Sequence, residues 1–423
     1  MKLSSSIDAE FSGRISSMIE RRMSEKFSHP LGFCTWGEEE IEAATECLRS
    51  QKTTMWTKCF DFEDQFAAYL GSTDAVMVNS GSSADLIMML VARELGMLKP
   101  GDEVLIPAVT WPTQAWAVIQ AGFKPKFVDV DIETLNATPE AFEAAIGPKT
   151  KAIFLVHLMG NPCDMEYISG IADDRGLLLF EDCCEAFGAS FALRKVGSVG
   201  TASAFSFFAS HHISTMEGGM VATSNPDFAE GCRLMRAHGW ARDLKRAQDV
   251  DVLDRYGCVT DRRYLFLGQG FNFRPTELQG AIGQIQLKKL DGMNEWRAKN
   301  ARQVHTEFRV TNGPTVESLL PVSYRSNPAW FALPFVLRSG LPYTRQQVFA
   351  HLAEYGIDSR PIVGGNLLRH PAFAKYADCA DGLPGANAIH DRGFYIGLPP
   401  TDKPMNAVIG ALNSIDPMLR QPQ

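Results

Sequence analysis

The sequence predicts an α/β fold in which a large unit built on a mixed, mostly parallel sheet is followed by a smaller C-terminal α+β unit. Two observations carry this. From about Asp74, short apolar runs alternate with helix-patterned stretches, and the runs are continuously apolar, as strands covered on both faces by helices are. After Arg274-Pro275 the rhythm gives way to longer helical patterns and isolated strands.

Taken in order, Ala75 to Val78 reads as a strand, Ala84 to Leu95 as a helix and Val104 to Pro107 as the next strand, which makes a βαβ unit. Lys126 to Val130, Ala152 to Leu158 and Leu177 to Phe180 continue the sheet. Beyond Pro275, Leu278, Ile282 and Ile285 mark one face of a helix, and Gly292 is expected to break it before a second helix through Arg302. The division is placed there, between residues 1–290 with an N-terminal extension and residues 291–423. In the second unit Trp330 to Leu337 reads as a strand, and Val348, Leu352 and Tyr355 as a helix face. Met1 to Phe27 reads as an added helix with no assigned purpose.

The chain has 423 residues, 45% hydrophobic and 21% charged, which suits a packed soluble protein. A net charge of -8 gives no basic footprint for nucleic acid and would be repelled by anionic lipid. No apolar run is long enough to span a bilayer, and Met1 to Phe27 lacks a signal peptide's apolar segment, so the cytoplasm is the expected compartment. Nine cysteines without disulfide spacing point to free thiols, and no metal site is read.

Five segments carry chemistry. Val78-Asn79-Ser80-Gly81-Ser82-Ser83 ends a strand and opens a helix, where free backbone N–H groups and the helix dipole converge on an anion. The same turn is also common with no ligand. Glu181-Asp182-Cys183-Cys184-Glu185 places carboxylates just past a strand's carboxyl end, where open α/β sheets bind ligands. Asp182 suits a protonated pyridine nitrogen, or else a helix cap. Trp111 offers a plane for a flat ring, or for the core. Asn272 and Arg274 offer an amide and a bidentate cation for phosphate, or a surface role. Last, Phe205-Ser206-Phe207 leads through Ser210-His211-His212 to Glu217-Gly218-Gly219.

In this order, Gly81-Ser82-Ser83, Trp111, Asp182, Glu185, Ser206 and His211 resemble the DegT/DnrJ/EryC1/StrS family of fold-type-I pyridoxal phosphate (PLP) enzymes, whose fold is aspartate aminotransferase-like. The resemblance runs from about Pro30-Leu31 to Arg360-Pro361-Ile362-Val363. It implies that Gly81, Ser82, Ser83 and Ser206 hold the cofactor phosphate, that Trp111 covers one ring face, that Asp182 meets the pyridine nitrogen and that Glu185 lies close to the ring. It also implies a homodimer with active sites shared across the interface. Asn272 would reach the phosphate of the neighbouring subunit's cofactor, and Arg274 would face cofactor or substrate phosphate.

The family's usual pattern has a Lys-Asn pair where His211 and His212 stand here. With Thr215-Met216-Glu217-Gly218-Gly219 and Ala237-His238-Gly239-Trp240, the chain is similar to a histidine-bearing branch that dehydrates nucleotide-linked sugars at C3. Relatives in that branch that hold an iron-sulfur cluster carry Cys-x-Cys after this loop. Ala241 to Arg263 offers only Cys258, so no cluster is expected.

Imidazole cannot form the stable covalent link that a lysine amine makes with PLP. The resemblance therefore implies PLP, or pyridoxamine phosphate (PMP), held non-covalently, with L-glutamate as amino donor. The implied substrate is GDP-4-keto-6-deoxy-D-mannose, which would lose its C3 hydroxyl to give GDP-4-keto-3,6-dideoxymannose, ammonia and 2-oxoglutarate. His211 is the expected catalytic group, because an ordinary imidazole pKa of about 6.5 suits proton removal and return near neutrality. His212 is read as structural. Other readings stay open: another nucleotide on the sugar, an aminotransferase with an unconventional base, or a silent nucleotide-sugar binding protein.

Overall fold

Seven strands form the sheet that positions the site. In chain order they are β1 (Asp74–Val78), β2 (Glu103–Pro107), β3 (Lys124–Val128), β4 (Thr150–Val156), β5 (Leu178–Asp182) and, after a small hairpin of β6 (Ser190–Phe191) and β7 (Arg194–Lys195), β8 (Ala202–Ser206) and β9 (Gly219–Thr223). The computed structural model describes residues 27–246, 260–310, 316–318, 325–379 and 382–419; Met1 to Lys26 and Cys258, both weighed above, lie outside the described residues.

The sheet order is β1-β9-β8-β5-β4-β2-β3. All neighbours from β3 to β8 pair in parallel, and β9 runs antiparallel to both β8 and β1. Residues Ile153 to Leu155 in the middle of β4 are entirely apolar and fully buried, as the doubly covered position requires. Nearer the other edge the pleat alternates: β1 sends Val76 and Val78 into one core and Ala75 and Met77 into a second core, where Phe62, Phe66, Phe187, Phe205 and Phe207 meet. β5 continues past the expected Phe180 to Asp182, which pairs in register with Val156 and Ala204.

A helix of 34 residues, Glu277–Val310, runs through Gly292 without the expected break. Glycine inside a helix costs about 1 kcal/mol against alanine, and burial of the flanking Leu290 and Met293 offsets it. Gly280 and Gly283 allow close packing on the helix Thr57–Leu70, since added Cβ atoms would lie 2.6 Å from the Cys59 nitrogen and 2.5 Å from the Phe62 ring. Ile282 is fully buried, whereas Leu278 and Ile285 are half-buried. The helix crosses position 290, carrying Leu287 and Leu290 in one core and Ala301, Val304 and Phe308 in another.

That further core belongs to an antiparallel sheet ordered β10-β12-β14-β13, made of β10 (Val316–Ser318), β12 (Ala332–Leu337), β13 (Ser359–Pro361) and β14 (Gly393–Gly397). β11 (Ser326–Asn327) instead joins the β6–β7 hairpin. The helices Arg345–Glu354 and Asn406–Leu419 contribute Val348, Leu352 and Val408 to this core. Among the described residues no helix is long and apolar enough to cross a membrane, and every cysteine whose side chain is described is a free thiol.

Candidate active site

The carboxyl ends of β1, β2, β4, β5 and β8 lie along one edge of the sheet and open onto a cavity of about 490 Å³. Gly81, Ser82, Trp111, Asp182, Glu185, Ser206 and His211 line it together; Ser83, Asn272 and Arg274 do not.

One end of the cavity is an anion cradle. Ser80 caps the helix Gly81–Glu94 by accepting the Ser83 N–H at 3.1 Å. The N–H groups of Gly81 and Ser82 come next in the helix, where no intrahelical acceptor exists. An alanine Cβ at position 81 would stand 2.6 Å from the Ser206 Cβ and 3.0 Å from the Cys184 sulfur, so glycine is required for the turn to close on β8. The Ser83 hydroxyl is spent inside the turn, donating to Asn79 Oδ1 at 2.7 Å. Ser80, whose place as helix cap was readable from the sequence, lines the cavity instead.

A second wall carries carboxyls. Asp182 is buried, and its Oδ1 accepts the Cys184 N–H at 3.0 Å. Behind it sits Asp85, 1% exposed, with Oδ1 unpartnered and only a long 3.4 Å bond from Thr113 Oγ1 to Oδ2. Burial raises both above the usual carboxylate range, and the Asp182 charge pushes Asp85 further. Among the described residues no cation forms an ion pair with either. Two neighbouring carboxyls in so dry a place cannot both ionise until a cation arrives. Glu185 accepts the Met159 N–H at 2.9 Å and is pushed up to about 7, first by burial and then by the Asp182 charge.

The third wall is basic. His211 follows β8, with Phe208 and Phe331 rings at 6.3 and 5.2 Å. Its Nδ1 is sealed from solvent and has no partner. Burial lowers its pKa to about 4; a hydrogen bond with the Cys184 backbone works against this, and the Arg297 charge adds to it. His212 points away, its Nε2 bonded to the Ala329 carbonyl at 2.8 Å, in keeping with a structural part. Trp111 opens the helix Pro112–Gln120 and stays 57% exposed, an indole left at the cavity rather than packed in the core. Among the described residues no lysine lines the cavity.

Sequence reasoning missed the far side. Phe331, Arg360 and Tyr395 complete the lining from the C-terminal part of the chain. Arg360 stood in a quoted motif, but nothing local tied it to a ligand. Asn272 is exposed and accepts the Arg274 Nε–H at 2.9 Å, while its backbone bridges to Ala237. The buried His157, Glu181 and Cys183 lie close enough to suggest a metal, yet His157 Nδ1 is taken up by the Cys163 N–H at 3.0 Å and Nε2 by Glu181 at 3.2 Å.

A GDP-4-keto-6-deoxy-D-mannose 3-dehydratase of Escherichia coli O55:H7 is 36% identical over 374 residues, covering 88% of this chain and 95% of the relative. A dTDP-4-dehydro-2,6-dideoxy-D-glucose 3-dehydratase of Saccharopolyspora spinosa is 35% identical, covering 83% of this chain and 78% of the relative. A solved GDP-4-keto-6-deoxymannose-3-dehydratase with a trapped PLP-glutamate geminal diamine superposes with a TM-score of 0.84 at 35% identity, over 92% of this chain and 99% of that one. The family model of the DegT/DnrJ/EryC1/StrS aminotransferases matches residues 35–413. With a sheet-edge cavity that gathers the motif residues, and a family match over most of its length, the chain belongs to the DegT/DnrJ/EryC1/StrS aminotransferase family.

Proposed function

We propose that the protein is a PLP-dependent nucleotide-sugar 3-dehydratase that removes the C3 hydroxyl of GDP-4-keto-6-deoxy-D-mannose, with L-glutamate as amino donor. The observation that carries this reading is His211 in a cavity that no described lysine lines. A family aminotransferase needs a lysine there as anchor and proton carrier; an imidazole can move a proton but cannot anchor.

The residues present fit PLP or PMP held non-covalently. The Gly81 turn, which a Cβ would fill, suits a phosphate bound by the Gly81 and Ser82 N–H groups and the Ser82 and Ser206 hydroxyls, with Ser83 shaping the turn behind them. Asp182 has no cation partner among the described residues, and a pyridinium N–H would supply one. Trp111 would cover a ring face and Glu185 would lie beside the ring. Bound there, the cofactor would supply an amine to join the sugar's C4 carbonyl and an electron sink for the elimination.

His211 moves the proton. With a pKa near 4 it is uncharged at neutral pH and free to accept one. The imidazolium then formed is a strong acid, suited to protonating the C3 oxygen as the C–O bond breaks and water leaves. The His211 Nδ1 is sealed from bulk water that would compete for that proton.

Incubation of the protein with PLP, L-glutamate and GDP-4-keto-6-deoxymannose tests this. Equal yields of ammonia and 2-oxoglutarate with a sugar lacking the 3-hydroxyl are expected. A stable 4-amino product that keeps its 3-hydroxyl would make the protein an aminotransferase. Because a relative of nearly equal identity is named for a dTDP sugar, a panel of GDP-, CDP- and dTDP-linked 4-keto sugars tests a second reading, the same reaction on another nucleotide.

The active form we propose is a homodimer in which Asn272 and Arg274 reach the partner's cofactor or substrate phosphate. Support comes from the exposed Asn272 and half-buried Arg274, and from the exposed Phe271, Phe266, Leu267 and Trp56, an apolar set that a lone chain leaves in water. A cytoplasmic location is proposed with it, in keeping with free thiols suited to a reducing compartment.

A further inference from the structure

Behind the basic wall lies a buried cation with no acid to meet it. Arg297, on the helix Glu277–Val310, is 4% exposed. Its Nη1 makes two long bonds, to Asn294 Oδ1 at 3.3 Å and to the His212 carbonyl at 3.4 Å. Its Nε has no partner, and among the described residues no carboxylate forms an ion pair with it.

A buried guanidinium ordinarily sits against a carboxylate, because desolvation is otherwise uncompensated. The same fold follows that rule elsewhere: Arg236 is fully buried against Glu63 at 2.5 Å. At Arg297, burial alone acts, pushing its pKa down only to about 10, so the group stays charged at neutral pH. Its charge falls on His211 and His212 and disfavours protonation of both rings. The other titratable groups that line the cavity with His211 are Asp182, Cys184, Glu185, Glu217, Arg360 and Tyr395, and the Cys184 backbone also bonds to the ring.

We propose that Arg297 is a positioning residue for proton transfer: its unpaired buried charge, held against the His212 carbonyl beside His211, adds to burial in disfavouring the imidazolium and so favours passage of the proton from the ring to the departing hydroxyl. This rests on the reading of His211 as the proton carrier. The steps balance without any further reactant: an N–H bond forms at the imidazole as a C–H bond breaks. That N–H then breaks as an O–H forms on the C3 oxygen, which leaves with the C–O pair as water. A repelling cation near the ring makes the imidazolium more acidic and so favours the second transfer.

The test is a pair of variants, Arg297→Met, which removes the charge at similar volume, and Arg297→Lys, which keeps it. The His211 imidazole is titrated by NMR in the cofactor-free chain, its signal assigned with His211→Asn. The midpoint should rise by roughly one pH unit in Arg297→Met and stay close to the parent's in Arg297→Lys. The acid limb of kcat for dehydration should move the same way. An unmoved His211 midpoint in folded Arg297→Met overturns the proposal. If that variant does not fold, Arg297→Gln, which can keep a bond to the His212 carbonyl, takes its place under the same criterion. The titration needs no turnover, so a parent protein without dehydratase activity would sink the functional reading while leaving this measurement decisive.

Discussion

Two walls of one cavity hold opposite chemistry at arm's length. On one, Asp182 and Glu185 are carboxyls held above their ordinary range, with the raised Asp85 behind them; on the other, His211 is a base held below its ordinary range, with His212 and Arg297 behind it. Burial is the first cause on both sides. Elsewhere the chain joins buried opposites directly, as Arg236 with Glu63. Direct pairing across the cavity would satisfy both walls and leave neither group ready for a ligand. Kept apart, the acid wall waits for a cation and the base wall for a proton in transit.

The most drastic way to break this asymmetry is to put a fixed amine in the base wall. His211→Lys should bind PLP covalently, seen as a new absorbance band that borohydride traps, and should lose dehydration by about 10²-fold or more. Dehydration at the parent rate would show that His211 does not carry the proton. Neutralising the opposite wall comes next. Asp182→Asn keeps the shape but removes the charge expected to meet the pyridinium, and should weaken PLP retention by about 2 kcal/mol or more. Equilibrium dialysis against PLP measures it, and unchanged affinity would release Asp182 from that role. Between the walls lies the cradle. Gly81→Ala would force a Cβ to within 2.6 Å of Ser206; cofactor affinity should fall by about tenfold or more, by pushing apart the N–H donors and the Ser206 hydroxyl. Retained affinity at native stability would mean that the phosphate sits elsewhere.

The sequence made Asp182, Glu185 and the cradle legible because these residues sit on local motifs, each at or just past the end of an apolar strand. Gly81, Asp182, Ser206 and His211 were each recognisable within a few neighbours, and the parallel sheet brings its strand ends to one edge. Arg360, Phe331 and Tyr395 escaped because they arrive from the second sheet, more than a hundred residues along the chain from His211, and no local pattern marks them. Arg297 escaped for another reason: one charged residue in a long helix reads as solvated surface, and only packing shows that this one is buried. Gly292 misled because helix propensity is a weak prior that tertiary burial overrides.

The smallest effect sharpens the comparison most, because the two walls tilt stability with pH in opposite senses. Glu185, raised to about 7 in the folded chain, binds a proton there more readily than in the unfolded chain. Its contribution is therefore full below about pH 4.5 and fades as pH rises through 7. His211, lowered to about 4, does the reverse: the unfolded chain binds the proton more readily, so stability grows as pH rises from about 4 to 6.5. Between about pH 4.5 and 6.5 the two slopes oppose each other. Glu185→Gln keeps an acceptor for the Met159 N–H and removes one slope, leaving that of His211 uncovered. The melting temperature of the cofactor-free variant should then climb more steeply with pH across that window than the parent's. The difference should be about 1 to 2 kcal/mol, less than full burial would give because Glu185 is only half-buried. Parallel melting profiles for parent and variant would place Glu185 outside the dry acid wall.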